Sequence, residues 1–166
     1  MRIFLEVTNG DWGWLRKTGP ESPEKRGLKA PLNTKYLVIF RKISRNDIVL
    51  TYLARTLTDN HDWRSSIVGI SKVKEKFYQM NNSFKVDTYD DRELPEPITF
   101  QRFSKIEGPS ELFKYLLRVR LQKYLFELEI ADFIKILQIC PENLQFLKSV
   151  KYFEEIEEMR QLSEIF

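Results

Sequence analysis

The 166-residue sequence has one cysteine, one histidine and six glycines. A lone cysteine, Cys140, forms no internal disulfide. Set among Ile136, Leu137 and Ile139, it reads as a small core residue. One His and one Cys do not build an ordinary zinc site, which removes structural and catalytic zinc. The scattered glycines form no phosphate-cradling loop, and no nucleophile elbow with an ordered Ser/His/Asp set appears. No apolar run approaches 18 residues, so no membrane-spanning helix is expected. The N-terminal apolar run is short and broken by Glu6, unlike a signal peptide. These absences point to a chain that is not an enzyme, needs no cofactor and works in the cytoplasm.

What is present is a foldable composition. The chain is 42% hydrophobic and 13% aromatic, enough for one real core. The net charge of +3 is uneven: residues 151–166 carry five acidic and two basic side chains, and the body before them is basic. A basic body fits phosphate binding, a property shared by many unrelated proteins.

Along the chain, residues 2–7 alternate Ile3, Leu5 and Val7, the period of a half-buried strand. Residues 9–33, with Gly10, Gly13, Gly19, Pro20 and Pro23, read as a long loop of the kind that carries function. Residues 36–40 suit either a strand or a short helix. A turn at Ser44-Arg45-Asn46-Asp47 precedes a buried strand over 48–53. Residues 54–66 form a polar connection. Residues 67–77 form a strand with Lys72, Lys74 and Lys76 on an outer face, paired across Asn81-Asn82 with a strand over 83–89. Residues 90–97 read as a loop. Ser110 opens a helix, residues 123–128 suit a strand, and residues 130–139 form a helix stopped by Pro141. Phe146, Val150, Phe153, Ile156 and Met159 then recur at helical spacing, giving a charged terminal helix over 144–166. Strands first and helices last argue for an α+β domain with a mostly antiparallel sheet. Residues 1–140 form the domain and residues 141–166 a C-terminal helical extension.

All three tryptophans, Trp12, Trp14 and Trp63, fall in or beside loops of the first 77 residues. Tryptophan suits a loop poorly unless it packs on something flat, and a nucleobase is flat. Trp12, Trp14, Trp63 and Tyr52 are the candidate walls, with Tyr52, at the end of a buried strand, the first to be read as core. Thr8 and Asn9 could meet a base edge, and Asp11 could accept from an exocyclic amine; capping of a turn explains Asn9 and Asp11 equally well. His61 reads as a solvent-facing loop residue. For phosphates, Arg16, Lys17, Lys25, Arg26 and Lys29 crowd the first loop, and Lys72, Lys74 and Lys76 line the strand face. Lys114, Arg118, Arg120 and Lys123 run without a carboxylate between them. Asp90, Asp91 and Glu93 read as a solvated acidic loop.

The strand ending in Val7-Thr8-Asn9 with a tryptophan close behind resembles the opening of EVE domains. So do the Ile43-Ser44-Arg45-Asn46-Asp47 turn before a strand ending in Tyr52, and Ile67-Val68-Gly69-Ile70-Ser71-Lys72-Val73. Residues 94–100, a helix, Arg118-Val119-Arg120-Leu121 and a last helix follow in the same order. EVE domains stand with YTH and ASCH domains in the PUA-like superfamily. Trp12 comes one residue early for the pattern, so Trp12 or Trp14 is the matching wall. The resemblance implies a curved, mostly antiparallel β-barrel flanked by helices, and an aromatic pocket for a modified base flipped from a duplex. It also implies DNA in preference to RNA as partner, and a specificity role in McrB-like restriction systems with a fused or associated AAA+ motor and nuclease. An RNA-binding PUA-like module and a protein-interaction domain are the alternatives.

Overall fold

The computed structural model describes residues 1–8, 27–32, 35, 37–54, 63–119, 121 and 124–154. Eight strands form two sheets. The larger has the order β7-β4-β3-β1-β8, and the smaller the order β2-β6-β5. Among the described residues no ladder closes the larger sheet into a ring.

The centre of the molecule is β1 (Ile3–Thr8) beside β3 (Ile48–Leu53) and β4 (Ser66–Val73). β1 runs parallel to β3, and every other pairing is antiparallel. The half-buried strand expected over 2–7 is a correction: Ile3, Phe4, Leu5 and Glu6 are all buried, because both faces of the sheet are covered. Ile3, Leu5, Ile48, Leu50, Tyr52, Ile67 and Ile70 face the main core under the helices. Phe4, Val49 and Val73 face a second cluster with Leu28, Ala30 and Val86, contributed by β2 (Leu28–Pro31) and β6 (Ser83–Val86) of the small sheet.

The turn at Ser44–Asp47 forms as expected. Asp47 accepts from the amides of Arg2 and Ser44, and Asn46 takes a left-handed φ of 69°. Residues 37–40 resolve as one helical turn, α1 (Leu37–Phe40). The strand expected over 67–77 stops at Val73. The partner of β6 across Asn81-Asn82 is instead the short β5 (Tyr78–Met80). The loop expected over 90–97 is also overturned, since these residues lie inside β7 (Thr88–Thr99). Its prolines, Pro95 and Pro97, are tolerated because β7 is an edge strand. The backbone of Glu96 between them is satisfied from outside the sheet: its amide donates to Asn143 Oδ1 at 2.9 Å, and its carbonyl accepts from Asn143 Nδ2 at 2.7 Å.

A single turn, α2 (Phe100–Phe103), follows β7, and Ser110 then caps α3 (Glu111–Arg118) by accepting from the Phe113 amide. The buried Asp132 fixes that cap, taking the Ser110 hydroxyl and amide on its two oxygens. β8 (Leu125–Leu128) leads into α4 (Ile130–Gln138), and Pro141 opens α5 (Pro141–Ser149) at a position where its missing amide costs nothing. The continuous terminal helix expected over 144–166 is a correction. Lys151 turns left-handed at φ 55° and the Tyr152 amide donates to the Leu147 carbonyl, which ends the helix. Tyr152 and Phe153 then enter the main core, so residues 141–154 share one core with the strands. Residues 155–166 lie outside the described residues.

Candidate functional site

The face of the large sheet turned toward the small sheet changes character along its length. At one end it carries Phe4, Val49 and Val73, packed on β2 and β6. Strand alternation puts Glu6 and Thr8 on the face of Phe4, Thr51 on that of Val49, and Ser71 on that of Val73. Glu6, Thr51 and Ser71 are nonetheless buried. A polar floor in this position is costly unless it is matched. For Glu6, the Tyr124 hydroxyl donates to its Oε1 at 3.0 Å and accepts from the Lys29 amide at 3.0 Å, tying β1 to the start of β2.

Farther along the sheet, level with Val49, Ser71 Oγ and Asp91 Oδ2 have no hydrogen-bond partner. They meet at an irregularity between β4 and β7. Ile70 pairs with Arg92 and Lys72 with Tyr89, so Ser71 alone faces both Asp90 and Asp91. Asp90, with φ 48°, turns to Lys72, while Asp91 accepts from the Thr88 hydroxyl through Oδ1.

Glu6 and Thr51 pair just inside the end where the chain leaves the sheet, whereas Ser71 is level with Val49 farther along. Thr8 pairs with Leu53, and Leu53 pairs with Ser66, so the ends of β1 and β3 and the start of β4 are level. The connection 9–26 departs after Thr8 and rejoins at Gly27. Gly27 has φ 95°, and a Cβ there would stand 1.9 Å from the Val86 carbonyl oxygen. Half-buried Trp63 packs on Leu53 and Val68 at this same end.

Of the candidate pocket residues, Thr8 and Trp63 therefore share one mouth, and Tyr52 does not line it. Tyr52 is buried in the main core, its ring edge-on to Phe103 with centroids 6.0 Å apart. Burial pushes its phenol up from the ordinary value, against a hydrogen bond with the Ser65 side chain. Asn9, Asp11, Trp12, Trp14 and His61 lie outside the described residues, as do Arg16, Lys17, Lys25, Arg26, Arg120 and Lys123.

Lys72 is a correction to the expected basic outer face. Its side chain is 1% exposed and its ammonium lies 2.9 Å from Asp90 Oδ2. The same Nζ sits 4.4 Å from the centroid of the Tyr152 ring. The β4–β7 irregularity turns this lysine toward the main-core side, where its charge is spent inside the protein. Lys74 and Lys76 are exposed just beyond the strand. Arg118 is exposed at the end of α3, its guanidinium 5.4 Å from the Tyr115 ring centroid.

No protein-family model matches the chain, and no curated protein does. Solved structures do. The N-terminal domain of Staphylothermus marinus McrB superposes with a TM-score of 0.57 at 12% identity, over 82% of this chain and 93% of that one. Human THYN1, in complex with DNA containing 5-methylcytosine, gives 0.56 at 15% identity, over 84% and 97%. Protein Atu2648 from Agrobacterium tumefaciens gives 0.57 at 14% identity, over 84% and 92%. The chain shares the fold of these structures, in keeping with the fold expected from the resemblance to EVE domains. No helix among the described residues is long and apolar enough to cross a membrane, and none of those residues form a cluster of three or more metal-type ligands.

The buried polar residues on this face of the sheet were missed by reasoning from sequence. Glu6, Thr51 and Ser71 sit in apolar strands, where a polar residue in an alternating pattern reads as solvent-facing. The available signal was their shared parity with Phe4, Val49 and Val73, which becomes visible only once the covered face is known.

Proposed function

We propose that this chain is a non-catalytic DNA-binding module that reads a modified, methylated base. The base flips out of its duplex and enters between the two sheets at the Thr8–Trp63 mouth. The observation that carries this reading is the buried polar pair of Glu6 and Thr51 just inside the Thr8–Leu53 end of the sheet, in a fold shared with a protein solved in complex with 5-methylcytosine DNA.

Flipping a base costs a few kcal/mol of pairing and stacking. Stacking on an aromatic side chain returns about 1–3 kcal/mol per base. Trp63, with Trp12 or Trp14 from the connection that leaves Thr8, supplies such walls. Asn9 and Asp11 lie on that connection and meet the base edge together with Thr8. Glu6, just inside the Thr8 end, is an acceptor suited to an exocyclic amine, and the Thr51 hydroxyl beside it can donate and accept. Arg16, Lys17, Arg118, Arg120 and Lys123 hold phosphates, which position the duplex without reading its sequence. The likeness to an McrB N-terminal domain supports a specificity role in a restriction system, with an AAA+ motor and nuclease as fused or associated partners in the cytoplasm.

The test is a titration against a duplex with one 5-methylcytosine, its unmodified copy and the matching RNA. Wild type is expected to prefer the methylated DNA, with affinity falling as salt rises. Trp63→Ala is expected to lose about 1–3 kcal/mol of that binding. Equal binding of methylated and unmodified duplexes, or unchanged binding by Trp12→Ala, Trp14→Ala and Trp63→Ala alike, refutes the pocket.

A further inference from the structure

At the opposite end of β4 from the Thr8–Trp63 mouth lies a groove of about 630 Å³ lined by Arg45, Lys74, Glu75, Lys76 and Tyr89. We infer that this groove is a second nucleic-acid contact, holding the sugar-phosphate backbone of the same duplex well away from the flipped base. The inference rests on the DNA-binding reading above and adds a distinct site to it.

Its charge pattern sets it apart. Several described cations are held in ion pairs: Lys42 and Arg2 on Glu127, Lys85 on Asp87, Arg102 on Glu96, Lys114 on Glu111. Arg45, Lys74 and Lys76 are exposed, converge on one groove and take part in no ion pair among the described residues. One carboxylate, Glu75, lies among three cations, which leaves the groove a net positive charge.

The wall is rigid. The Tyr89 hydroxyl donates to Asn46 Oδ1 at 3.1 Å, and Lys72 Nζ lies 5.8 Å from its ring centroid. Asn46 belongs to the Ser44–Asp47 turn, which also sets Arg45. The backbone of Lys74 is fixed by its amide bond to the Asp87 carbonyl at 2.9 Å. The cations therefore stand on anchored backbone, around an aromatic ring with limited freedom. Backbone phosphates need this kind of positive, shape-tolerant surface.

The spacing gives the inference its test. β4 runs eight residues from Ser66 to Val73. At about 3.3 Å per residue the groove lies roughly 23 Å from the mouth. That is about seven base pairs of duplex at 3.4 Å each. A stem with the modified base at its centre and about three pairs on each side reaches only the mouth, whereas a duplex of about twenty pairs reaches both sites.

Arg45→Gln, Lys74→Gln and Lys76→Gln are combined in the full chain and compared with wild type on both DNAs, each carrying 5-methylcytosine. On the long duplex the triple variant is expected to bind about tenfold or more weakly, with the slope of log affinity against log salt reduced by about 2 to 3. On the short stem, the two proteins bind alike, which also shows that the variant is folded. Equal binding of the two proteins to the long duplex overturns the inference and leaves the base-reading proposal intact. Equal losses on both lengths overturn it as well, since the groove would then not be a distant contact. Failure of wild type to bind either DNA overturns both readings together.

Discussion

Asp90→Asn removes the carboxylate 2.9 Å from the Lys72 ammonium, while Lys72→Met removes the cation instead. The two changes break one ion pair, yet they strand different charges. At 2.9 Å, attraction between unit charges is about 6 kcal/mol for an effective dielectric of 20, an upper bound before solvation is counted. Taking one partner from a buried pair costs about 3–5 kcal/mol, because the other is left buried and uncompensated. Lys72 is 1% exposed; without Asp90 its buried charge keeps the face of Tyr152, worth about 1–2 kcal/mol. Asp90→Asn should therefore cost about 3 kcal/mol. Lys72→Met leaves Asp90, 20% exposed, still bonded to the Arg92 guanidinium, and should cost about 1 kcal/mol. Urea denaturation at pH 7 measures both, and the double variant should resemble Lys72→Met alone. The pH dependence carries a second check. Burial pushes the Asp90 carboxyl up, but Lys72 and then Arg92 outweigh it and hold the group below its ordinary value. A depressed folded value means that the stabilisation is present above the unfolded carboxyl value near 4 and is lost as pH falls through the folded one. Wild type should thus lose more stability than Asp90→Asn on acidification. If Asp90→Asn costs no more than Lys72→Met, the ammonium is not buried as the structure places it, and the reasoning fails.

Asn143→Asp turns a donor toward the Glu96 carbonyl into a second acceptor, and should cost about 2–3 kcal/mol in thermal or urea unfolding; no loss would mean that α5 does not fasten the proline-flanked edge of β7. Gly27→Ala combines a left-handed φ with a Cβ driven into the Val86 carbonyl, and should cost about 2 kcal/mol or more by the same measurement. Burial pushes the Cys140 thiol up to about 11, so a thiol reagent at pH 8 should label it only at the rate of unfolding, and rapid labelling of native protein would contradict its burial. Ser71→Ala removes an unmatched buried hydroxyl, and should raise stability by about 1 kcal/mol in urea unfolding; a loss of stability would show that the hydroxyl is already in structural use.

The α+β class, the buried strand over 48–53, the Asn81-Asn82 hairpin turn and the Ser110 cap could all be read from the sequence, because each rests on local chemistry. The errors have a common origin in tertiary context. Residues 90–97 look like a loop because they carry Asp90, Asp91, Pro95 and Pro97. They stay in a strand because the edge position excuses the prolines and Asn143, nearly fifty residues away, satisfies Glu96. The terminal helix continues on paper through Val150 and Phe153, yet more apolar area is buried by turning Tyr152 and Phe153 inward at Lys151. Lys72 looks exposed by analogy with Lys74 and Lys76, and only the irregular β4–β7 pairing directs it to Asp90. At the site, Thr8 and Trp63 could be inferred as loop-end residues. Glu6, Thr51, Ser71 and Asp91 could not, since a polar residue within a strand gives no sign of being buried.

Buried polar groups are spread along the large sheet, at different depths from the mouth. In the main core Lys72 is paired with Asp90, while the Tyr152 hydroxyl has no hydrogen-bond partner. Level with Val49, Ser71 Oγ and Asp91 Oδ2 are buried without partners, each at a cost of about 1–3 kcal/mol. Nearer the mouth, Glu6 and Thr51 are buried just inside the Thr8–Leu53 end, at positions where a fold tuned for stability alone would place valine or alanine. The cost is sustainable because the main core spans both the strands and the helices. Glu6 and Thr51 serve recognition only if something that carries donors and acceptors can reach them, and a base edge, planar and polar at its rim, has that chemistry.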